Sequence, residues 1–374
     1  MRVKIQQFLF GKSHSWSVVS QNIGRELLKQ GHTVEFISTD GLDNKYIPDD
    51  LRSFIKEKPT GAYDCQISYT APHNWSKYLA HGTKNRFAIW NYEYNNRQFE
   101  NNTTQCLLPG FAKFYKDCDL VLPSSNFTKE VFTSMRIPEE KMVVVPHGIN
   151  LDDFTSNTKT ILQTKKSKKI LLNVAQPHKR KALHLALESF GKAFTKNDDV
   201  CLIAKVLKSN HKNQQFDVNF NDLYKTFEQK FPNHANVEII HNYIPNISDL
   251  YKACDINFSA TFAECWHLPS LEAMAAGIIN IVPRYGGQLD FCNDDNSLLI
   301  DVDIVRAPKD HQYWIHSPYC VHGQIRTNDA AKKLQMAVQD YDKLIDRFKI
   351  NMKNTVEKFT WENAVNKIIK LTNG

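Results

Sequence analysis

The sequence predicts an α/β protein made of two doubly wound domains. Two stretches, residues 3–38 and 170–205, repeat one order: an apolar strand, a turn, an amphipathic helix and a second strand. Units of this kind build parallel sheets that bind ligands at the carboxyl ends of their strands. The length of 374 residues also exceeds what one small core organises.

Composition favours a soluble globular protein with an anionic partner. Hydrophobic residues make up 42% of the chain and charged residues 23%, with a net charge of +7. No run reaches the roughly twenty apolar residues of a membrane helix. The first residues look like a strand rather than a signal peptide, so we expect a cytoplasmic protein. The positive charge suits sugar nucleotides, acidic lipid surfaces or nucleic acid and does not choose among them.

The first domain, predicted over residues 1–150, contains alternating apolar strands and helices. Its predicted strands are residues 3–10, 32–38, 63–69, 86–91 and 142–145, and its predicted helices are residues 16–28 and 125–135. Residues 151–169 are polar and lysine-rich, which predicts a linker.

The second domain is predicted over residues 170–350. Its predicted strands are residues 170–174, 200–205, 237–240, 256–259 and 278–282. Leu183, Leu187, Phe190 and Phe194 share one face of a helix. A further helix is expected at residues 249–254 with Ser248 as its cap, and two more after residue 329.

The stretch 261–283 is the most informative part of the chain. A helix is expected to open near His267 and Pro269 and to end at Gly277. The free N–H groups of its first turn favour an anion. Glu264 and Glu272 flank this turn, and carboxylates suit hydroxyl groups rather than phosphate. We therefore expect a ligand with a phosphate in its middle and sugars at its ends; the alternative is an ordinary amphipathic helix.

The same stretch resembles a known family. Glu264, seven intervening residues and Glu272 lie within FAECWHLPSLEAMAAG, residues 262–277, which is similar to the E-x7-E signature of retaining glycosyltransferases of family 4. The resemblance implies the GT-B fold, in which two Rossmann-like domains face each other across a cleft. It also implies transfer of a sugar from a nucleoside diphosphate donor to an acceptor hydroxyl, with retention of the anomeric configuration.

The resemblance assigns roles on the donor side. Glu264 would hold sugar hydroxyls and Glu272 the ribose, while Arg180 and Lys181 would stabilise the departing diphosphate. The loop departs from the family pattern, because Gln176 and Ala182 stand where Arg and Gly are usual. The remaining donor residues that the resemblance implies are His267, Leu268 and Pro269 at the helix start, Tyr243 in the segment HNYIP that meets the base, and Gly11 near the phosphates.

Three residues are candidates on the acceptor side or at the reacting sugar. His73 follows a predicted strand where the family often places a histidine facing the sugar, and a surface histidine is the alternative. Trp90 and Glu93 belong to a dense aromatic group that resembles an acceptor-side lining. Aromatic packing between domains explains these two residues equally well.

Two further motifs support the resemblance, and one pattern is a decoy. PHGIN at residues 146–150 resembles the exit from the family's first domain, and FTWE at residues 359–362 resembles its final element. Residues 351–374 are thus expected to form a helix that crosses back to the first domain. Asp117 with Asp119, and Asp301 with Asp303, fit the D-x-D pattern of metal-dependent enzymes. We expect no metal ligation and no cofactor, since the implied fold does not depend on that motif.

The acceptor stays open at this stage. The resemblance favours a glycan or lipid-linked glycan, with the lysine-rich surface near an acidic membrane. A DNA glycosyltransferase acting on hydroxymethylated bases also fits a pI of about 8.8. A sugar-nucleotide epimerase and a non-catalytic binding module are further alternatives.

Overall fold

The computed structural model describes residues 1–7, 15–39, 47–79, 83–94, 112–155, 169–206, 218–308, 311 and 320–373. These residues form two compact units. Unit 1 contains the described residues of Met1–Tyr92, Asn101–Gly148 and Phe359–Gly374. Unit 2 contains those of Glu93–Glu100 and Ile149–Lys358.

Strands and helices alternate along the described chain. The strands are β1 Arg2–Gln7, β2 Thr33–Ser38, β3 Ile55–Lys56, β4 Cys65–Tyr69, β5 Arg86–Ile89, β6 Leu120–Val121, β7 Lys169–Ala175, β8 Val200–Val206, β9 Asn236–Ile240, β10 Ile256–Phe258, β11 Ile279–Pro283, β12 Leu298–Ile300, β13 Val302–Arg306 and β14 Val321–Ile325. The helices are α1 Ser15–Lys29, α2 Trp75–Tyr78, α3 Asn126–Ser134, α4 Asp152–Thr155, α5 Leu183–Ala193, α6 Phe220–Lys230, α7 Ile247–Lys252, α8 Leu268–Ala275, α9 Thr327–Gln339, α10 Tyr341–Val356 and α11 Trp361–Thr372. None of these helices is long and apolar enough to cross a membrane.

Unit 1 is built on a parallel sheet whose described strands run in the order β3-β2-β1-β4-β5-β6. The first strand of the chain lies inside the sheet, pairing with β2 on one side and β4 on the other. Its residues from Val3 onward are buried, as expected for a strand covered on both faces. Helix α11 returns from the end of the chain to pack against α1 within this unit.

Two of the predicted motifs meet inside unit 1. The ring of His147 in PHGIN lies 6.2 Å from that of Trp361 in FTWE. At Gly148 an added Cβ would lie 2.2 Å from the amide nitrogen of Trp361. Only glycine allows the two backbones to approach this closely. The contact fixes where the last helix begins.

Unit 2 is built on a second parallel sheet, with the described order β12-β11-β10-β7-β8-β9. The order reverses between β7 and β10, which are neighbours although the chain visits β8 and β9 between them. In open parallel sheets the crevice at such a reversal is where ligands bind, at the carboxyl ends of the strands. The topology therefore directs attention to the loops that follow β7 and β10.

The core of unit 2 under helices α7 and α8 is apolar. Leu172 and Ile203 of the sheet pack with Leu250 and Tyr251 of α7 and Ala273 of α8. The short helix α4 joins this cluster through Phe154, although the lysine-rich residues 151–169 had suggested a linker. An antiparallel hairpin, β13–β14, is attached beside the parallel sheet.

The structure corrects several expected boundaries. Residues 142–145 run beside β6 as a bridge rather than a regular strand: Met142 pairs with Val121, and Val143 and Val145 donate to the carbonyls of Val121 and Pro123. Helix α7 is capped at Asn246, whose side-chain oxygen instead accepts a hydrogen bond from Ser248. Residue 351, expected to begin the final segment, lies inside α10, and α9, α10 and α11 occupy the region where two helices were expected.

Replacing Gly148 with alanine should destabilise the protein more than the same change at Gly31. The added methyl at Gly148 meets the backbone of Thr360 and Trp361, which cannot move as a flexible side chain would. We expect a loss of about 2–4 kcal/mol, visible as a lower melting temperature. At Gly31 the space is open and the cost is the positive φ of 80° alone, on the order of 1 kcal/mol. Equal melting temperatures for the two variants would contradict the contact.

Candidate functional site

The loops that follow β7 and β10 are joined by hydrogen bonds. The backbone carbonyl of Arg180 accepts from the backbone N–H of Phe262 at 3.0 Å, and the hydroxyl oxygen of Thr261 lies 3.3 Å from the same carbonyl. Arg180 lies in the turn of 3-10 helix Lys179–Lys181, after β7, and the other two residues follow β10. The strand reversal thus brings together residues that lie 81 and more positions apart in the sequence.

One carboxylate in this crevice holds two cations. The Glu264 Oε1 atom accepts from Lys181 Nζ at 2.6 Å, and Glu264 Oε2 lies 3.0 Å from Arg180 Nη1. The hydroxyl of Thr261 donates to the same Oε1 at 2.8 Å. The Glu264 side chain is 7% exposed, compared with 15% for Arg180 and 16% for Lys181. The structure therefore unites the three residues that the sequence assigned to this chemistry.

A second carboxylate completes the charge balance. Glu93 Oε1 lies 3.2 Å from Arg180 Nη2. The guanidinium also donates from Nη1 to the carbonyl of Ala263 at 2.6 Å. Two cations and two carboxylates therefore share a confined volume. Charges this poorly solvated are stable only when they are paired.

The electrostatics of the cluster follow from burial and pairing. Burial opposes ionisation of Glu264, but Arg180 and Lys181 outweigh it and hold the pKa of Glu264 well below its usual range. The pKa of Lys181 is lowered by burial and by Arg180, with Glu264 opposing the shift. Burial likewise raises the pKa of Glu93, although Arg180 favours its charged form. The pKa values of the two glutamates shift in opposite directions because Glu264 has two cationic partners and Glu93 has one.

A pair of glycines holds Glu264 in place. The N–H of Gly287 donates to the backbone carbonyl of Glu264 at 2.7 Å. Gly286 adopts a φ of 108°, and an added Cβ would lie 3.0 Å from that same carbonyl oxygen. The loop can pass this close because both positions lack a side chain. The close backbone approach that Gly286 and Gly287 allow is therefore directed at Glu264 itself.

Helix α8 begins directly after this carboxylate. His267 takes the left-handed conformation, with a φ of 72°, and its Nδ1 lies 2.5 Å from the hydroxyl of Ser270. Burial lowers the pKa of His267 to about 4, so the ring is neutral at physiological pH. Leu268 and Pro269 form the first turn and are half-buried. The helix start thus presents backbone N–H groups beside a neutral ring.

The second acid of the motif lies on α8 in a different environment. Glu272 neighbours Tyr251 of α7 and Asp153 of α4. Burial raises the pKa of Glu272 from the usual 4.5 to about 7, Tyr251 opposes the shift and Asp153 adds to it. The two glutamates of one motif therefore differ in charge state near neutral pH. Carboxyl groups whose pKa is shifted far from its ordinary value are typical of functional sites.

The other predicted site residues lie on other elements, and their roles stay predictions. His73 is exposed after β4 in unit 1, with its Nε2 3.2 Å from the Asn74 amide. Trp90 is 5% exposed and stacks on Phe132 at 5.3 Å within the core of unit 1. Tyr243 is 47% exposed in the segment after β9. Gly11 lies outside the described residues.

Arginines pair with three of the four carboxylates in the two D-x-D patterns. Asp119 pairs with Arg86 at 2.9 Å and Asp301 with Arg284 at 2.9 Å. Asp303 pairs with Arg326. Within the described part of the chain, no group of three or more His, Cys, Asp or Glu side chains is arranged to hold a metal ion.

Three contributors to the site were missed by reading the sequence. Thr261 donates to Glu264 from three residues earlier in the chain, and Tyr251 of α7 neighbours Glu272; a single hydroxyl residue carries no spacing signal for either role. Ala182 adopts a left-handed φ of 48° between the 3-10 turn and α5. The family pattern has glycine at this position, which was the available signal for an unusual backbone.

Comparison with known proteins agrees with this geometry. Residues 155–311 match the family model described as glycosyl transferases group 1. That match includes Arg180, Lys181, Glu264 and Glu272. The resemblance to group 1 glycosyltransferases is confirmed. Assignment to family 4 within them stays a prediction.

Solved structures extend the likeness to the whole fold. A glycosyltransferase from Rickettsia africae ESF-5 aligns with a TM-score of 0.75 at 18% identity, covering 100% of this chain and 97% of that one. Anabaena Alr3699/HepE in complex with UDP-glucose aligns at 0.72 and 13% identity, covering 100% and 99%. Sucrose-phosphate synthase from Thermosynechococcus elongatus aligns at 0.68 and 14% identity, covering 100% and 98%. A search of curated protein sequences gave no match. The predicted GT-B fold with two Rossmann-like domains is confirmed.

Replacing Glu272 with glutamine should stabilise the protein above about pH 5 and leave its stability at lower pH unchanged. The raised pKa of Glu272 means that the folded state resists ionisation, so stability is lost as pH rises from 4.5 through about 7. Glutamine removes this loss, on the order of 2 kcal/mol above pH 8. We expect a melting temperature several degrees higher than wild type at pH 8 and no difference at pH 4. Exposed Glu57→Gln is the control and should show no such pH dependence.

Proposed function

We propose that the protein is a retaining glycosyltransferase that moves a sugar from a UDP- or GDP-sugar to an acceptor hydroxyl. The observation that carries this proposal is the cluster of Glu264, Arg180 and Lys181 at the strand reversal of unit 2, next to the start of α8. It combines a hydroxyl-binding carboxylate, two cations and a helix start in one crevice. These are the groups that a nucleoside diphosphate sugar needs.

The diphosphate is proposed to lie between the cations and the first turn of α8. Lys181 has three N–H donors, and among the described residues its Nζ donates one of them to Glu264. Two donors remain for phosphate oxygens. Arg180 is held by Glu93, Glu264 and Ala263, so it supplies positive charge from a fixed position. Preorganised charge of this kind stabilises a leaving group without reorganisation during the reaction.

The sugar and the ribose would bind to the two glutamates. Glu264 is ionised and retains lone pairs for sugar hydroxyls. Glu272 would accept hydrogen bonds from the ribose hydroxyls, which favour the ionised form and should lower its pKa when a donor binds. The neutral His267 ring at the helix start adds no repulsion or charge of its own.

Transfer breaks the bond between the anomeric carbon and the phosphate oxygen. The bonding electrons move to the diphosphate, where Arg180, Lys181 and the helix start meet the developing negative charge. The acceptor hydroxyl attacks from the same face of the sugar that the diphosphate leaves. Its proton passes to the departing phosphate oxygen, which balances the charge and retains the configuration. On this proposal the cations take the part that Mg²⁺ has in metal-dependent transferases.

The donor has the stronger support. Three of the similar solved structures are of Anabaena Alr3699/HepE with UDP, with UDP-glucose, or with UDP and glucose. For the acceptor we propose a glycan or lipid-linked glycan, with the net charge of +7 favouring peripheral association with an acidic membrane. DNA with hydroxymethylated bases is kept as the competing acceptor and is distinguished by the assay below.

The test is release of free nucleotide from a panel of UDP-, GDP- and ADP-sugars. The panel is run alone, with lipid-linked glycans, and with duplex DNA carrying hydroxymethylated bases. Release that depends on one glycan acceptor, with an α-configured donor giving an α-linked product, supports the proposal. If only the DNA stimulates nucleotide release, the acceptor is nucleic acid rather than a glycan. Binding of a nucleotide sugar without release under any condition contradicts transferase activity and favours a binding module or an epimerase.

Replacing Lys181 with alanine should slow turnover more than it weakens donor binding. The Lys181 ammonium faces charge that develops on the leaving diphosphate, so kcat should fall about 100-fold. Lys179→Ala is the control, because it removes an equal charge from the same turn. We expect the kcat of Lys179→Ala to stay within about threefold of the wild-type value. A normal kcat for Lys181→Ala would remove this lysine from the mechanism.

Replacing Glu272 with alanine should abolish discrimination between ribose and its dideoxy form. Hydrogen bonds to a charged group contribute about 1.5–3 kcal/mol, so wild type should bind UDP roughly 10- to 100-fold more tightly than 2′,3′-dideoxy-UDP. The variant should bind both with similar, weaker affinity, as measured by isothermal titration calorimetry. If the variant still prefers UDP by the wild-type ratio, the ribose does not bind at Glu272.

A further inference from the structure

A buried lysine in unit 2 has no partner within the described residues. Lys205 is the penultimate residue of β8 and is 4% exposed. Its Nζ atom makes no hydrogen bond to any described residue and contributes no ion pair there. Burying an ammonium without an acceptor is costly, and burial lowers the pKa of Lys205 to about 8. Such a group favours a bound acceptor that the described residues do not supply.

Lys205 lies on the face of the sheet covered by α7 and α8. In the parallel register it lies between Val174 of β7 and Ile240 of β9. Both of these neighbours pack against the apolar cluster that contains Tyr251 of α7 and Ala273 of α8. Side chains alternate along a strand, so Lys205 also shares this face with Ile203, a member of the cluster.

The nucleoside of the donor would extend towards this position. The proposed diphosphate site lies at the ends of β7 and β10, and β8 is the next strand beyond β7, about 5 Å away. The proposed ribose ligand Glu272 lies beside Tyr251, on the side of α8 that faces α7. A nucleoside that leaves the diphosphate and passes Glu272 therefore reaches the carboxyl end of β8 under the segment that precedes α7.

We propose that Lys205 donates a hydrogen bond to a carbonyl oxygen of the donor's nucleobase and so selects uracil or guanine over adenine. The inference rests on the donor site proposed above. An ammonium is a donor only, and the keto oxygens of uracil and guanine are acceptors. Adenine carries an amino group where guanine has its keto oxygen, and that group cannot accept from Lys205. With adenine bound, the buried Lys205 ammonium would stay without an acceptor, and this cost makes the discrimination between bases strong.

Unit 1 contains a lysine that serves as a matched control. Lys4 lies in the parallel strand β1, is also 4% exposed, and burial lowers its pKa to about 8. The Lys4 ammonium, however, donates to the backbone carbonyl of Tyr78 at 2.6 Å. The two lysines thus match in strand context, burial and charge. They differ in that Lys4 has an acceptor from the chain.

The experiment compares wild type with Lys205→Met and Lys4→Met by calorimetric titration with UDP, GDP, ADP and inorganic pyrophosphate. We expect wild type to bind UDP or GDP at least tenfold more tightly than ADP. Lys205→Met should lose that preference while its affinity for ADP and pyrophosphate stays within about threefold of wild type. Lys4→Met should keep the preference. Melting temperatures are measured alongside, and removal of an unpaired charge should leave Lys205→Met at least as stable as wild type.

Each other outcome overturns a particular step. An unchanged preference in a folded Lys205→Met excludes Lys205 from base selection. A matching loss of pyrophosphate affinity places the ammonium on the phosphates and overturns the assignment to the base. A lower melting temperature for Lys205→Met, with nucleotide affinities intact, assigns the lysine to the fold. If wild type binds none of the nucleotides, the proposed donor site itself fails, which is distinct from a failure of Lys205.

Discussion

The Glu264 carboxylate with its two cations is the interaction on which the site of unit 2 depends. It joins the loop after β7 to the loop after β10 at the point where the described strand order of the unit 2 sheet reverses. Apart from the 3-10 turn Lys179–Lys181, neither loop has regular structure to fix its position. The hydrogen bonds to Glu264 and to the carbonyl of Arg180 fix both loops relative to the sheet. Removing this carboxylate would leave two poorly solvated cations with Glu93 alone to balance them.

The charge balance of the cluster bears on its proposed use. Two cations are matched by two carboxylates, so the site is neutral before a donor binds. A site with a large excess of positive charge would bind any phosphate tightly, including the product diphosphate. A neutral site that still offers free N–H donors can bind a diphosphate by geometry and release it after transfer. The carboxylates thus limit ground-state binding, which leaves more of the interaction for the transition state.

Reading the sequence located the fold and the main residues because these depend on local patterns. Apolar strands, amphipathic helices and the glycines that end helices are each recognisable from a short stretch of sequence. The motif containing Glu264 and Glu272 is likewise contiguous. The pairing of Glu264 with Lys181 spans 83 positions and depends on strand order, which no local pattern encodes. Trp90 stays a prediction. Its ring stacks on Phe132 within unit 1, and in the sequence an aromatic cluster looks the same whether it packs in a core or lines a binding surface.

Buried ionisable groups separate structural from functional roles in this protein. Glu264 and Lys4 are buried, and each has partners from the chain that account for its presence. Glu272 and Lys205 are different, because burial shifts both pKa values towards neutrality and the described fold offers too little to stabilise their charge. A fold that needed only packing would place apolar side chains at these positions at lower cost. Lys205 lies on the sheet face under α7 and α8, and Glu272 lies on α8 beside α7, so both are along the path proposed for the nucleoside. One ligand can stabilise the charges of both Glu272 and Lys205 only if the two residues lie near each other, and their common location meets this condition.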